Sequence, residues 1–235
     1  MPTRAPAPPR PVVVSMGGSV LLNGKDDTRY LEELATLLRD IGRTVPLVVT
    51  TGGGRTAREY IRLGRELGLT EVELDEIGIE VTRLHARLLA ARIGPPAPSH
   101  PPPTIALAAH ELRRSSPVIL GGTEPGHTTD GVAALLAVRL RAVRLVNATD
   151  VNGIYEDDPR VNPRARRIPK SSWADFRKRV SAGTSGEAGQ NFPFDRLGAD
   201  TLARAEIPLW IVDGRDLKNL GAAIRGEPFD GSRVE

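Results

Sequence analysis

Three short apolar runs end in glycine-rich turns, which are the places where this chain could bind phosphate. The turns are Gly17-Gly18-Ser19, Gly52-Gly53-Gly54 and Gly121-Gly122. A glycine turn lets backbone N–H groups approach an anion with no Cβ atom in the way. One such turn after a strand is common turn chemistry. Three in one chain indicate a ligand, or two ligands, with several phosphates.

Two standard phosphate motifs do not fit well. A Walker loop needs Gly-Lys followed by Ser or Thr, and Gly24-Lys25 is followed by Asp26. A Rossmann fingerprint needs a third glycine or alanine, and TGGGRTAR places Ala57 there, so this alternative is weakened but stays open. Arg58, one helical turn after the second glycine turn, could brace a phosphate.

The segment TEPGHTTD, residues 123–130, is the most informative stretch. Its Pro-Gly pair forces a turn, and Thr128 and Thr129 offer hydroxyls and free amides at the start of a helix. Asp130 would stand in the first turn of that helix, where a negative charge suits the helix dipole. A phosphate acceptor is already ionised and needs no base, so we interpret His127 as a polar contact. The four histidines show no paired spacing, and we expect no metal site made of side chains.

The elements around these turns alternate between strand and helix. We predict strands over residues 12–16, 46–50, 118–120, 145–148 and 209–212. We predict helices over 28–41, 55–67, 75–93, 104–114, 131–140 and 216–225. The second has Ala57, Tyr60, Ile61 and Gly64 on one side, and the third carries the apolar residues Ile77, Ile79, Val81, Leu84, Leu88 and Leu89. This alternation predicts an α/β fold with a mainly parallel sheet covered on both faces. Residues 1–11 read as a disordered Pro-rich tail before a single domain, 12–235.

Composition excludes several classes of function. The 235 residues are 40% hydrophobic and 26% charged, with a net charge of +3, 4% aromatic residues and no cysteine. No run is long enough for a membrane helix, the N-terminus does not read as a secretory signal, and no disulfide can form. The basic residues are scattered among acids, so we expect no nucleic-acid partner. We also expect a cytoplasmic location.

Three longer motifs carry a family resemblance. They are GGTEPGHTTDGVAALLA, ELDEIGIEVTRLHARLL and NATDVNGIYEDDPR. Together they resemble archaeal-type uridylate (UMP) kinases of the amino-acid-kinase superfamily, from about Val12 to Val234. The resemblance implies a three-layer α/β/α sandwich, a homohexamer, and Mg²⁺-dependent transfer of a phosphoryl group from ATP to UMP. It also implies an acceptor-binding lobe at about 12–140 and an ATP-binding lobe at about 141–235.

Site residues follow from the resemblance by position. The implied catalytic residues are Arg58, Asp130 and Ser19. The implied ATP-binding residues are Gly17, Gly18, Ser19, Gly54, Arg58, Thr149, Asp150, Tyr155 and Asp158. The implied UMP-binding residues are Gly53, Asp75, Thr123, Glu124, Pro125, Gly126, His127, Thr128 and Thr129, with Asp75 opening the third predicted helix. Mg²⁺ is expected to arrive with ATP.

The chain departs from the superfamily pattern at two positions. Ser15 stands where many members carry a lysine in the first strand, and Asp200 stands where a second lysine is common. Both lysines would neutralise the moving phosphoryl group, so Mg²⁺ and Arg58 would have to supply most of that charge, with help from Arg55 or Lys25.

Rival functions lie in the same fold. Isopentenyl phosphate kinases resemble HGGGSFGH at the second glycine turn, where this chain has TGGGRTAR. Acetylglutamate and carbamate kinases would lack the GHTTD segment. A molybdate- or tungstate-storage protein would bind ATP without an acceptor, which the two missing lysines favour and the TEPGHTTD segment opposes.

Overall fold

The computed structural model describes residues 9–183 and 194–235 around a seven-stranded sheet of order β3-β2-β1-β4-β8-β9-β7. The strands are β1 (Val12–Met16), β2 (Leu47–Thr51), β3 (Val118–Leu120), β4 (Arg144–Thr149), β5 (Ile154–Tyr155), β6 (Arg167–Ile168), β7 (Lys170–Ser171), β8 (Leu209–Asp213) and β9 (Ser232–Val234). The helices are α1 (Gly18–Leu21), α2 (Asp27–Gly42), α3 (Gly54–Glu66), α4 (Glu71–Ile93), α5 (Ile105–Glu111), α6 (Thr129–Leu140), α7 (Trp173–Gly183), α8 (Arg196–Arg204) and α9 (Leu217–Arg225).

The sheet reverses its winding direction at β1. The chain runs from β1 to β2 and β3 on one side, then returns to place β4 on the other side of β1. All these pairs are parallel; within the seven-stranded sheet, β9 runs antiparallel to β8. In open α/β sheets, ligands bind beyond the carboxyl ends of the strands at such a switch point. The first glycine turn follows β1 at this place.

Alternate residues of β1 face two separate hydrophobic cores. Val14 and Met16 pack with α2, α4 and α9, while Val13 packs with α5, α6, α7 and α8. Such alternation is what a strand buried on both faces requires. The result is three layers, helix on sheet on helix. The predicted α/β/α sandwich with a mainly parallel sheet is confirmed.

The start of α4 differs from the prediction. Thr70 caps the helix through the amide of Glu73, and the Glu73 carboxylate returns to the Thr70 amide, which is a capping box. The helix therefore begins at Glu71, and Asp75 lies in its second turn. The prediction that Asp75 opens this helix was wrong because the stronger cap signal lies five residues earlier.

The buried face of α4 contains polar as well as apolar residues. Leu84 and Leu88 are 64% and 48% exposed, while the polar residues Thr82 and His85 are 7% and 4% exposed. Tyr60 of α3, predicted on one side of the helix with Ala57, is 55% exposed, whereas Ala57 is buried. Polar groups of α4 are buried because they bond to loops at the carboxyl end of the sheet.

The remaining differences are at element ends and in the last third of the chain. Most predicted elements occur within a few residues of their expected bounds, and α6 begins at Thr129 instead of residue 131. The sequence patterns did not predict α1, α7, α8, β5, β6, β7 or β9. Ordered chain also begins before Val12, because Arg10 donates hydrogen bonds to the carbonyls of Arg141 and Ala142. Residues 1–8 of the predicted tail lie outside the described ranges.

Candidate active site

The first two glycine turns pack against each other, backbone on backbone. A Cβ atom on Gly18 would lie 2.1 Å from the Gly54 nitrogen and 2.6 Å from the Gly52 carbonyl oxygen. Gly54 also has a φ of +57°, in the left-handed region that side chains disfavour. The amide of Gly17 donates to the Ala148 carbonyl at 2.9 Å, which ties the turn to β4. Glycine is therefore required at these positions because the backbones of the two turns approach each other closely at the switch point.

Helix α3, which begins at this pair of turns, has no side-chain cap. Its N-cap is Gly53, whereas α4, α5, α6, α8 and α9 each begin with a side chain that accepts an amide hydrogen bond. The first amides of a helix lack intrahelical partners and carry the positive end of its dipole. An uncapped start beside two glycine turns is suited to bind phosphate oxygens.

Arg58 lies in the second turn of α3 and is exposed. Within the described ranges it makes no ion pair or side-chain hydrogen bond, so its guanidinium is free for a ligand. Arg55 lies 3.6 Å from Glu59 and over Gly24, whose hypothetical Cβ would lie 3.3 Å from Nη2 of Arg55. Ser19 lies within α1, next to the paired turns.

The predicted acceptor segment forms a loop between β3 and α6. Its amide at Gly126 donates to the Asp75 carboxylate at 2.8 Å, so α4 holds the outer end of the loop. The buried Oγ1 of Thr123 has no hydrogen-bond partner among the described residues. His127 Nδ1 is buried too, with a Glu124 oxygen at 3.2 Å that is not aligned for a hydrogen bond. Buried polar atoms without partners are rare, and here they mark a surface prepared for polar ligand atoms.

The loop ends at the N-cap of α6. The Oγ1 of Thr128 accepts the Gly131 amide at 3.0 Å and donates to the carboxylate of Asp195. Asp195 in turn caps α8 through the Gly198 amide at 2.7 Å. The starts of α6 and α8 are thus joined at the carboxyl end of the sheet. Sequence reasoning missed Asp195, although an acid three residues before a helical glycine is a recognisable cap signal.

Asp130 faces Ser15 across the α6–β1 contact. Ser15 Oγ donates to Asp130 Oδ1 at 2.5 Å, and Thr50 Oγ1 lies 3.4 Å from the same Ser15 oxygen. Burial raises the pKa of Asp130 to about 7; the hydrogen bond from Ser15 opposes this rise, and the nearby Asp195 carboxylate adds to it. No cation compensates Asp130 within the described ranges.

Asp200, at the other departure from the superfamily pattern, is paired. Nε of Arg177 lies 2.5 Å from one carboxylate oxygen, and Nε of Arg196 lies 4.0 Å from the other. Arg177 belongs to α7, a helix the sequence patterns did not predict, so this cation was also missed.

Four of the residues implied for ATP lie at the end of β4 and in the chain that follows it. Thr149 is the last residue of β4, and Asp150 follows it. Tyr155 lies on β5, and Asp158 lies in the next loop. Arg160 joins two of them, with Nε 2.9 Å from Asp158 and Nη1 3.4 Å from Asp150. Its hydrogen bond lowers the pKa of Asp158.

A second arginine completes this cluster. Arg215 donates to the Asp150 carbonyl at 2.7 Å and pairs with Asp213 at 2.8 Å. Tyr30 donates to the Gly214 carbonyl at 2.8 Å beside it. Sequence reasoning identified neither Arg160 nor Arg215. Arg160 was missed although Asp158 lies only two residues before it, whereas Arg215 reaches the Asp150 carbonyl only because β8 returns beside β4.

In the described ranges, 9–183 and 194–235, no cluster of three or more His, Asp or Glu side chains could hold a metal ion. No helix there is both long and apolar enough to cross a membrane.

Comparison with known proteins places this site in a family. The pattern of the Amino acid kinase family matches residues 10–213. The uridylate kinase of Methanothrix thermoacetophila is 42% identical over 223 residues, covering 95% of this chain and 98% of the relative. That of Pyrococcus abyssi is 36% identical, covering 95% and 99%.

Two solved structures are also similar to this chain. The crystal structure of uridylate kinase from Archaeoglobus fulgidus matches with a TM-score of 0.85 and 36% identity, covering 96% of this chain and all of that one. The UMP kinase of Bacillus anthracis, at 20% identity and a TM-score of 0.77, shares the fold. On the strength of its glycine turns, its sheet order and these full-length similarities, the chain belongs to the amino acid kinase family, in the group of the uridylate kinases.

Proposed function

We propose that this chain transfers the γ-phosphoryl group of ATP to UMP, giving ADP and UDP, with Mg²⁺ carried on the ATP phosphates. The observation that carries the proposal is the pair of interlocked glycine turns at the β1–β4 switch point, beside a loop with buried, unpartnered polar atoms. The relatives of nearly full length are named uridylate kinases.

The two nucleotides would occupy opposite sides of the switch point. ATP would bind through Gly17, Gly18, Ser19, Gly54, Arg58, Thr149, Asp150, Tyr155 and Asp158. UMP would bind through Gly53, Asp75, Thr123, Glu124, Pro125, Gly126, His127, Thr128 and Thr129. In support, residues of the first set lie at the ends of β1 and β4 and at the start of α3. Most of the second set lies in the loop after β3, and Asp75 accepts a hydrogen bond from Gly126 of that loop.

The reaction needs positioning more than proton transfer. A phosphate oxygen of UMP would attack the γ-phosphorus of ATP, and the bond to the bridging oxygen of ADP would break. No base is required because the attacking oxygen is already ionised. Catalysis would rest on in-line alignment and on groups that stabilise the equatorial oxygens.

Arg58, the free amides of α3 and the hydroxyl of Ser19 would supply that stabilisation. Mg²⁺, when bound with ATP, would neutralise charge on the β- and γ-phosphates. Asp130 would orient this set from the start of α6. Ser15 is neutral and Asp200 is engaged with Arg177, so Arg58 is assigned the role that lysines have in many superfamily members.

We also propose a cytoplasmic homohexamer. Exposed apolar side chains on or next to α3 and α4 support a subunit interface at these helices, since exposed apolar surface on a folded domain commonly marks a contact. They are Tyr60, Leu63, Leu67, Val72, Leu84 and Leu88.

ADP release measured in a coupled assay tests the function directly. The purified chain is supplied with Mg-ATP and, separately, with UMP, CMP, AMP, isopentenyl phosphate, molybdate or no acceptor. Release that depends on UMP and exceeds every other acceptor is the expected result. Preference for isopentenyl phosphate would reassign the substrate, and ATP binding with no acceptor effect would indicate a storage or binding protein.

A further inference from the structure

His85 of α4 is a buried histidine that lies under the second glycine turn. Its Nδ1 is 2.9 Å from the carbonyl oxygen of Gly52, and the side chain is 4% exposed. A carbonyl oxygen only accepts hydrogen bonds, so Nδ1 must carry the proton in this contact. The contact spans 33 residues of sequence. His85 therefore holds in place the backbone of a glycine turn that lies far from it in the sequence.

Thr82, one turn before His85, makes the matching contact with the third glycine turn. Its Oγ1 accepts the Gly122 amide at 2.6 Å and donates to the Ile79 carbonyl at 2.6 Å. Its own carbonyl accepts from Thr51 Oγ1, at the end of β2, at 2.9 Å. Thr82 thus binds the ends of both strands that lead to the two turns.

Arg83 extends this attachment into the acceptor loop. Its Nε donates to the Gly122 carbonyl at 3.2 Å and its Nη2 to the Thr123 carbonyl at 3.1 Å. Glu80 lies 2.7 Å from Nη1 and holds the guanidinium in place. The first residues of the acceptor loop are therefore bonded to α4 through both amide and carbonyl groups.

The glycines of the third turn are explained by this helix. A Cβ atom on Gly121 would lie 2.5 Å from the Arg83 nitrogen and 2.6 Å from Thr82 Oγ1. One on Gly122 would lie 3.1 Å from the Ile79 side chain. The turn lacks side chains because α4 approaches its backbone, a reason distinct from contact with phosphate.

We propose that α4 is a brace that sets the separation between the phosphate-binding turn and the acceptor loop, and that His85, Thr82 and Arg83 are positioning residues for phosphoryl transfer. The inference rests on the proposed function, because the two attached segments are the proposed ATP and UMP sites. All three residues act through the backbone of the turns. In-line transfer is sensitive to such placement, since a shift of about 1 Å can cost about 100-fold in rate.

Two pairs of substitutions separate positioning from bulk stability. His85→Leu removes the donor to Gly52, while His85→Asn keeps an N–H group at the same distance from the backbone. Thr82→Val removes the acceptor for Gly122 at constant volume, while Thr82→Ser keeps the hydroxyl. His110→Leu makes the same change at an exposed histidine of α5 and is the matched control.

Kinetics give the first readout. We expect His85→Leu and Thr82→Val to lower kcat by about 10- to 100-fold with KM values changed less than about threefold. We expect Asn and Ser to restore kcat to within about threefold of the parent, and His110→Leu to leave it unchanged. Leu and Val variants with the parental kcat, or variants equally impaired whichever residue is introduced, would overturn the proposal.

Hydrogen exchange gives a readout that does not depend on turnover. His85→Leu should speed exchange of the amides in residues 52–56 by about tenfold or more, and Thr82→Val should do so for residues 121–123. Exchange at the parental rates in both segments would reject the brace. If the parent chain shows no UMP-dependent ADP release, the proposed function fails, and the exchange rates still decide whether α4 holds the turns.

Discussion

The hydroxyl of Ser15 donates a 2.5 Å hydrogen bond to the carboxylate of Asp130, so a neutral strand residue meets the acid at the start of α6. The family resemblance implies that many superfamily members carry a lysine at the position of Ser15. Without that charge, burial raises the pKa of Asp130 to about 7. The carboxyl group is therefore partly protonated at neutral pH, which reduces its repulsion of incoming phosphates.

The free energy of unfolding should change with pH because the pKa of Asp130 is raised in the folded state. The folded pKa lies above the ordinary value of about 3.9, so the protonated form favours the folded state, and stability is lost as pH rises from about 4 through 7. Asp130→Asn mimics the protonated form. Relative to the parent, it should gain about 1 to 3 kcal/mol between pH 4.5 and 8, since each pKa unit corresponds to about 1.4 kcal/mol and water in the cleft reduces the effect.

Urea unfolding at several pH values measures that difference. Asp40→Asn, at an exposed acid of α2, is the control and should show no trend. A constant difference between parent and Asp130→Asn across this range would mean that Asp130 ionises as an ordinary carboxyl group.

Replacement of Gly54 by alanine should damage the site through contact as well as backbone strain. Gly54 and Gly68 both have positive φ angles, +57° and +81°, but only a Cβ on Gly54 meets backbone, 2.6 Å from the Gly18 carbonyl. Gly68→Ala should cost about 1 kcal/mol in unfolding free energy and leave kcat unchanged. Gly54→Ala should also lower kcat by about 100-fold. Equal effects of the two substitutions on kcat would show that the interlock of turns is unimportant.

Arg58 should be required for turnover and dispensable for folding. Its side chain is exposed and without a partner in the described ranges, so Arg58→Ala should leave the thermal midpoint within about 1 °C, as expected for surface changes. We expect kcat/KM to fall by about 100-fold because a charge facing the transferred phosphoryl group is lost. Arg62→Ala, which breaks only an exposed ion pair with Glu66, should change kcat/KM less than twofold. Undiminished kcat/KM in Arg58→Ala would refute the role.

The Thr128–Asp195 hydrogen bond should couple α6 to α8. Asp195→Asn keeps a side chain able to cap α8, and Thr128→Ala removes the cap of α6, at a cost of about 1 kcal/mol. A double-mutant cycle in urea should yield an interaction energy of about 1 kcal/mol or more, because the bond is charge-assisted. Additive effects would leave the two helices energetically independent despite their contact.

The sequence was informative where the signals were local. The glycine turns and the five predicted strands of the sheet depend on residue types within a few positions. The α4 capping box is also a local signal, because Thr70 and Glu73 lie three residues apart.

Long-range partners were not readable. His85 and Thr82 are bonded to residues 33 and 40 positions away, and on an amphipathic helix they resemble interruptions of an apolar stripe. Arg177 and Asp200 meet because α7 packs against α8. Arg215 likewise meets Asp150, 65 positions away, only after the chain has returned through β8.

The sheet passes without a break beneath both proposed lobes. β1 pairs with β4 along five residues, Val12–Met16 with residues 144–148, directly below the place where the two nucleotides would meet. A clamshell rotation between the lobes would have to shear this ladder and both cores that cover it. We therefore expect the segments above the carboxyl ends of the strands to enclose the substrates. The sheet beneath the site should keep the same conformation with and without bound nucleotides.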